Sequence, residues 1–455
     1  MPTLWVAIVR HDPFFWDTVQ LGSKHAHFFF DNGLRWQVLP GTIDSGHPPL
    51  LGYYLACCWR LFGKTLAVSH WAMWPYLFGA IFFAFRIGRV WASPTLAAGF
   101  VLLSASDPVF ATQASLISPD LVLISFFLCA LYGIWSGNKW LVAVGVLGLC
   151  LISMRGMMTG AALLTWSVLR GWQYFRRKPV ELFRQTLPFF PGFLAAFAFH
   201  YWHFLQAGWI GYHAGSPWAE AFERSDGAGL FRNAAVLVWR WLDFGRIAEW
   251  GVLGLLLLQY RKGLIGGPPG EVVLLAVIIT IVLSPSALLY DNLSAHRYFL
   301  PAFTSLHLLL FVWIASGLTD RIKRVLLLST CCAVLACGHF WIYPRGISMD
   351  WDCTLAHRSY HTLRADMLSY LAARDIRVGS VGSAFPNLAT GEEMLLNGDT
   401  TAFAPLDIER QRYVLTSNVF NDIDMPQYRY LAGRRRLEKR LECAGVWMEL
   451  YAEKD

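Results

Sequence analysis

Residues 118–137 read SPDLVLISFFLCALYGIWSG. After the opening Ser-Pro-Asp no charge interrupts the run, and its length suits the ~20 apolar residues that carry a helix across a bilayer. Pro119 fits a first helical turn, Asp120 complements the positive end of the helix dipole and Gly137 ends the run. Working outward, further apolar runs fall near 68–90, 94–112, 139–154, 156–173, 186–206, 247–260, 271–290, 298–317 and 322–343. The expected fold is an all-α polytopic membrane protein with about 10–11 transmembrane helices. Residues 4–9 are apolar but too short to span, which reads as a late start or a stub of a first helix. They do not form the charged, apolar and cleavage regions of a signal peptide.

The composition agrees. Of 455 residues, 55% are hydrophobic and 15% charged, against ~45–50% and ~25% in soluble domains, which argues against a soluble multidomain enzyme. Residues 346–455 hold 16 acidic and 13 basic residues, whereas residues 1–345 hold 15 and 25. The chain therefore divides into a membrane body, 1–345, and a water-soluble tail, 346–455. Short apolar runs at 376–381 and 413–415 make the tail a small α/β domain. Its basic run, Arg434 to Arg436 with Lys439 and Arg440, reads as a solvated helix face.

The net charge of +7 comes from short links between apolar runs, where membrane orientation explains it and nucleic-acid binding does not. Alternate links collect thirteen Lys and Arg: Arg86, Arg89, Lys139, Arg170, Arg176, Arg177, Lys178, Arg184, Arg261, Lys262, Arg321, Lys323 and Arg324. These mark the cytoplasmic side. The segments 11–67, 107–120 and 207–246, the links at Arg155 and 291–297, and the tail then face outward. The chain reads as an integral protein of a bacterial inner membrane with an extracytoplasmic C-terminal domain. The 207–246 loop, with Trp209, Trp218, Trp239 and Trp241, is aromatic enough to lie along the interface. Seven of nine cysteines lie in or beside apolar runs and read as small core residues; Cys353 and Cys443, in the tail, are equally compatible with a disulfide and with free thiols.

Ionisable residues near membrane depth are costly, so those gathered on one side are candidates for function. On the outward side they are Asp12, Asp17, Asp44, His47, Asp107, Asp120, Asp291, His296 and Arg297. In DPFFWDTVQLGSKHAHFFFDNG, 12–33, Asp17 opens a surface helix that ends at Asn32 and Gly33; alone it reads as a helix cap. In DSGHPPLLGYYLACCWRLFGK, 44–64, His47 is held by two prolines ahead of an amphipathic stretch; alone it is a turn histidine. Asp120 alone is a cap, and Arg297, in DNLSAHRYFLPAF, 291–303, alone is a snorkelling residue.

Taken together, the early Asp before a surface helix, HPPLLGYYLACCWRLFG, a Pro-Asp helix start and HRYFLPAF resemble the GT-C class glycosyltransferases. The resemblance is to the group of dolichyl-phosphate-mannose protein mannosyltransferases and lipid A aminoarabinose transferases, and covers roughly the first 315 residues. It implies a first-loop acid at Asp17, with Asp12 as the alternative, a His before proline at His47, a second external acid at Asp120, and an Arg-Tyr pair at Arg297 and Tyr298. The family often has a second acid beside the first, where this chain has Thr18. No cofactor is assigned, and whether a divalent cation binds stays open.

The implied function is transfer of a sugar from a polyprenyl-phosphate donor to a hydroxyl of a lipid, glycan or protein acceptor, at the outer face of the membrane, by one inverting displacement. Asp17 would be the base. Arg297 and His47 would bind phosphate, with Lys64 as a weaker candidate. Asp120 would orient the acceptor or hold a cation; Asp44 and His296 are further candidates. The competing readings are a lipid or saccharide transporter or flippase and a noncatalytic envelope-assembly protein. Transporters gather charge at the midplane, whereas here it lies at one face.

Overall fold

The computed structural model describes residues 1–454 except 212, 214, 217, 218, 265, 266, 345, 346, 348 and 422; Trp218 thus lies outside the described residues. It is a polytopic helical membrane body carrying a small mixed sheet near its C-terminus. Each of the ten apolar runs forms helix. Among the described residues, however, five helices are long and apolar enough to cross a membrane: Leu66–Trp91, Pro119–Ser136, Pro268–Leu289, His296–Gly317 and Arg321–Phe340. A sixth span arises if Pro94–Ser106 and Pro108–Ser115, bent by 75°, count together. The remaining apolar runs form helices that are shorter or less apolar than these. The helix Lys139–Ile152 is only 14 residues long, and the apolar stretch around residue 107 is broken at a charged residue.

That break has a local cause. Asp107 takes an extended conformation before Pro108, and its carboxylate accepts from the N–H groups of Val109 and Phe110. A second helix therefore starts at the residue that ends the first. The chain then reverses through Leu116 into Pro119–Ser136, capped by the Ser118 hydroxyl.

The helices Pro119–Ser136 and Leu300–Gly317 are buried over most of their length. Small residues let Pro119–Ser136 approach Lys139–Ile152 closely: a Cβ on Gly145 would lie 2.6 Å from the Ala130 nitrogen. At the periphery, Phe190, Leu194, Phe197 and Tyr201 form an exposed apolar stripe at helical spacing along Phe190–Ala207. Such a stripe suits a helix whose outer face meets lipid rather than water.

In the tail, β1 (Val381–Ser383), β2 (Ala404–Pro405), β3 (Tyr413–Ser417), β4 (Arg436–Cys443) and β5 (Val446–Ala452) form one sheet in the order β2-β1-β3-β5-β4. The pairs of β1 are parallel and those of β5 antiparallel. Helix Arg358–Ala373 packs on β4 and β5. Most of the basic run expected on a helix face instead lies on β4, where charge on an edge strand opposes further pairing. The pairing of Cys353 and Cys443 does not form: both thiols are free, the first buried and the second exposed.

The tail also covers the expected surface helix. The segment Val19–Lys24 runs into His25–Asp31 and stops at Asn32. Phe14 N–H donates to the Met394 carbonyl, the Ser23 hydroxyl to the Glu393 carbonyl, and His27 meets the Glu392 carboxylate at 3.0 Å. This early segment is thus held between the membrane body and the tail.

Candidate active site

The candidate site is built around Arg297, 5% exposed, on the tight turn His296–Phe299 that leads into Leu300–Gly317. Its Nη2 donates to Asp17 Oδ2 at 2.5 Å, its Nη1 to Asp120 Oδ2 at 3.3 Å, and its Nε lies 2.8 Å from Asp352 Oδ2. The other Asp120 oxygen accepts from Arg155 Nη1 at 2.8 Å. Both guanidinium groups lie over the Tyr298 ring, 4.1 Å from its centre for Arg155 and 4.8 Å for Arg297. Three carboxylates thus face two arginines, leaving one negative charge in excess if all are ionised.

Each member is set by its own short element. Asp17 follows Trp16, whose φ is +53°, and precedes Thr18, whose hydroxyl bonds both the N–H and the carbonyl of Phe15. Asp120 lies in the first turn of Pro119–Ser136, and Arg155 in that of Met154–Arg170, capped by Ser153. Asp352 comes from the tail, on the turn Trp351–Cys353. There Gln113 donates to its carbonyl at 2.7 Å and the Trp351 indole N–H donates to Asn418. The Asp352 carboxyl is pushed up to about 7, first by burial and then by Asp17 and Asp350, against the opposing pull of Arg297.

His47 stands beside this ring. Its Nδ1 accepts from Met154 N–H at 3.4 Å, and with Arg155 and Pro119 it lines a small cavity. Burial first, then Arg155, His25 and His200, lower its pKa to about 3 against the influence of Asp17, so the ring is neutral near pH 7. With Nδ1 accepting, the proton sits on Nε2. The Asp44 carboxylate accepts from Gly46 N–H at 2.8 Å and meets His203 at 2.9 Å, both side chains buried.

Other candidates from the sequence lie outside the ring. Asp12 pairs with Arg358 at 2.8 Å, and Lys64 pairs with Glu392, both partners belonging to the tail. Asp291 pairs with Arg232 at the surface. Asp107 joins a separate buried group with Arg246 at 2.8 Å and His307 at 3.4 Å, extended by Glu249 at 2.7 Å from His307. His296 adjoins the ring, facing Asp350 at 2.7 Å and Asp243 at 3.1 Å. Arg155 and Asp352 were missed. Arg155 had a signal, a lone cation between two apolar runs; Asp352 had none beyond an acid either side of Trp351.

For a cation, the set nearest to a metal centre among the described residues is His296, Asp350 and Cys353, whose ligand atoms lie within 4.8 Å of one another. Arg240, at 3.2 Å, already answers the charge of Asp350. Asp17 and Asp120 are likewise answered by arginine. These residues therefore do not present the uncompensated acids a hard divalent cation prefers.

No family model and no curated protein matches the sequence. Two solved structures do match, both crystal structures of ArnT from Cupriavidus metallidurans, one bound to undecaprenyl phosphate and one in the apo state. Each covers 98% of this chain and 97% of its own at a TM-score of 0.54, with 13% and 14% identity respectively. The chain has the fold of ArnT. The likeness to ArnT runs beyond the first 315 residues on which the sequence resemblance rested, and takes in the tail. At such identity it is the fold that is shared with ArnT.

Proposed function

We propose that the protein is an integral membrane glycosyltransferase that moves a sugar from a polyprenyl-phosphate donor to a hydroxyl acceptor at the outer face of the membrane. The observation that carries the proposal is the contact between Asp17 and Arg297. It joins a carboxylate able to take a proton with a cation able to hold a phosphate, contributed by segments far apart in sequence. The shared fold with ArnT, crystallised with undecaprenyl phosphate, supports the same donor class.

The geometry suggests how the parts are used. Acid and cation touch, and Nη1 and Nη2 of Arg297 are taken up by carboxylates and Tyr298. In the proposed reaction the donor phosphate competes with Asp17 for Nη2 of Arg297, and the released carboxylate turns to the acceptor hydroxyl. The acceptor oxygen attacks the anomeric carbon as its proton passes to Asp17. The bond from that carbon to the phosphate oxygen breaks, and polyprenyl phosphate leaves with the electron pair. Arg155 and the Nε2–H of His47 lie where they can stabilise the departing charge. Asp120 orients both arginines. Asp12 and Lys64, engaged elsewhere, have no role in this scheme. The lysine and arginine distribution supports an orientation with the tail and the ring together on the extracytoplasmic side.

The test is transfer by the purified protein in nanodiscs, supplied with radiolabelled polyprenyl-phosphate sugars and a membrane extract as acceptor. The expected result is label moving from one donor into acceptor. Failure to consume any donor in the panel would overturn the proposal.

A further inference from the structure

Between Asp120 and Glu220 the sequence holds a single acid, Glu181, and seven Lys and Arg. Three of these stand in a row, Arg176, Arg177 and Lys178, on the link between the short helices Trp172–Phe175 and Pro179–Thr186. All three are exposed, and among the described residues no carboxylate pairs with them. The acids at this end are answered by other cations: Arg184 meets Glu181 and Arg170 meets Glu271, each at 2.8 Å. The segment is nonetheless fixed in place, since Phe175 is buried and the Gln185 amide donates to the Ser167 hydroxyl at 3.0 Å. Lys178 lies over the Tyr174 ring, 5.1 Å from its centre.

The same segment turns an apolar face outward. Val180, Phe183 and Leu187 are 61%, 64% and 51% exposed. They begin a stripe that steps by three and four residues through Phe190, Leu194 and Phe197 to Tyr201, along the lipid-facing side of Phe190–Ala207. A short helix with its apolar face on that line and cations at its start is built to lie in the membrane surface. This surface is not that of the candidate active site. Arg155 and Arg170 sit at the two ends of helix Met154–Arg170, which sets them roughly 22 Å apart along its axis.

Together the two features select a partner. A soluble polyanion would answer the cations and leave the apolar stripe in water. A zwitterionic lipid would cover the stripe but bring no net charge to three unanswered cations. An anionic phospholipid does both, with its phosphate at Arg176, Arg177 and Lys178 and its chains along the stripe. We infer that residues 172–187 form a binding site for anionic phospholipid, at the end of helix Met154–Arg170 away from the candidate active site. The lysine and arginine distribution supports the cytoplasmic leaflet as the source of that lipid. Its occupant is separate from the polyprenyl-phosphate donor proposed for the arginine ring.

The test is native mass spectrometry of the full-length protein, delipidated in a neutral detergent and titrated with dioleoylphosphatidylglycerol or, separately, with dioleoylphosphatidylcholine. The first lipid is expected to bind more tightly than the second. Arg176→Gln, Arg177→Gln and Lys178→Gln combined should weaken phosphatidylglycerol about tenfold or more, since each cation at an anionic surface is worth about fivefold, and leave phosphatidylcholine unchanged. A control carrying Arg410→Gln, Arg429→Gln and Arg434→Gln, three exposed cations of the tail, should bind both lipids as the original protein does. Equal affinity for the two lipids, an unaltered triple variant, or an equal loss in the tail control would overturn the inference. No donor takes part, so the outcome does not depend on the glycosyltransferase reading.

Discussion

Asp352 holds the most telling proton in the ring. Its carboxyl ionises near 3.8 in an unfolded chain and near 7 in the fold. Between those values the folded state binds more protons than the unfolded one, so this group lowers stability as pH rises from about 4 to about 7, with no further change above. Asp352→Asn should remove that part of the slope; melting curves of both proteins across the window read it, and an unaltered slope would refute the assignment. Arg297→Lys keeps the charge but loses the fork that spans three carboxylates. Its donor KM should rise roughly tenfold or more, the loss of one charge-assisted hydrogen bond. A rise confined to the acceptor KM would contradict the phosphate role.

At the scale of elements, the bend at Asp107 rests on a carboxylate that caps one helix while pairing with Arg246 in a fully buried site. Asp107→Asn should preserve most of the cap yet leave Arg246 without its charge partner, costing about 3–5 kcal/mol. Denaturation in detergent would show it, and unchanged stability would mean that Arg246 finds another partner. Helices at all the apolar runs were legible because a twenty-residue apolar stretch has few alternatives in a membrane. Their lengths were not, because Asp107, Ser118 and Ser153 set the ends through caps that composition does not weigh. The tail was harder. Leu437 and Leu441 have helical spacing, yet β4 forms because β5 supplies a partner distant from any local signal.

Across the whole molecule, the ring draws on five separate stretches, those of Asp17, Asp120, Arg155, Arg297 and Asp352. The first, second and fourth were legible as outward charges beside helix ends. Asp352 was not, since its place depends on how the tail docks, through Glu392 on His27, Arg358 on Asp12 and Gln113 on the Asp352 carbonyl. The proposed orientation makes Cys443, exposed on the tail, accessible from outside the cell. A membrane-impermeant maleimide should label intact cells in a manner lost in Cys443→Ser, while buried Cys353 reacts only after unfolding. Labelling of Cys443 that requires permeabilised cells would reverse the orientation.

The proposal that Asp17 takes the acceptor proton is tested most directly by single-turnover sugar transfer in Asp17→Asn, with donor binding measured in the same preparation. The account predicts a chemical step slowed by about 10²–10⁴-fold with donor still bound, the worth of a general base. A variant that binds donor and transfers sugar at the original rate would contradict it.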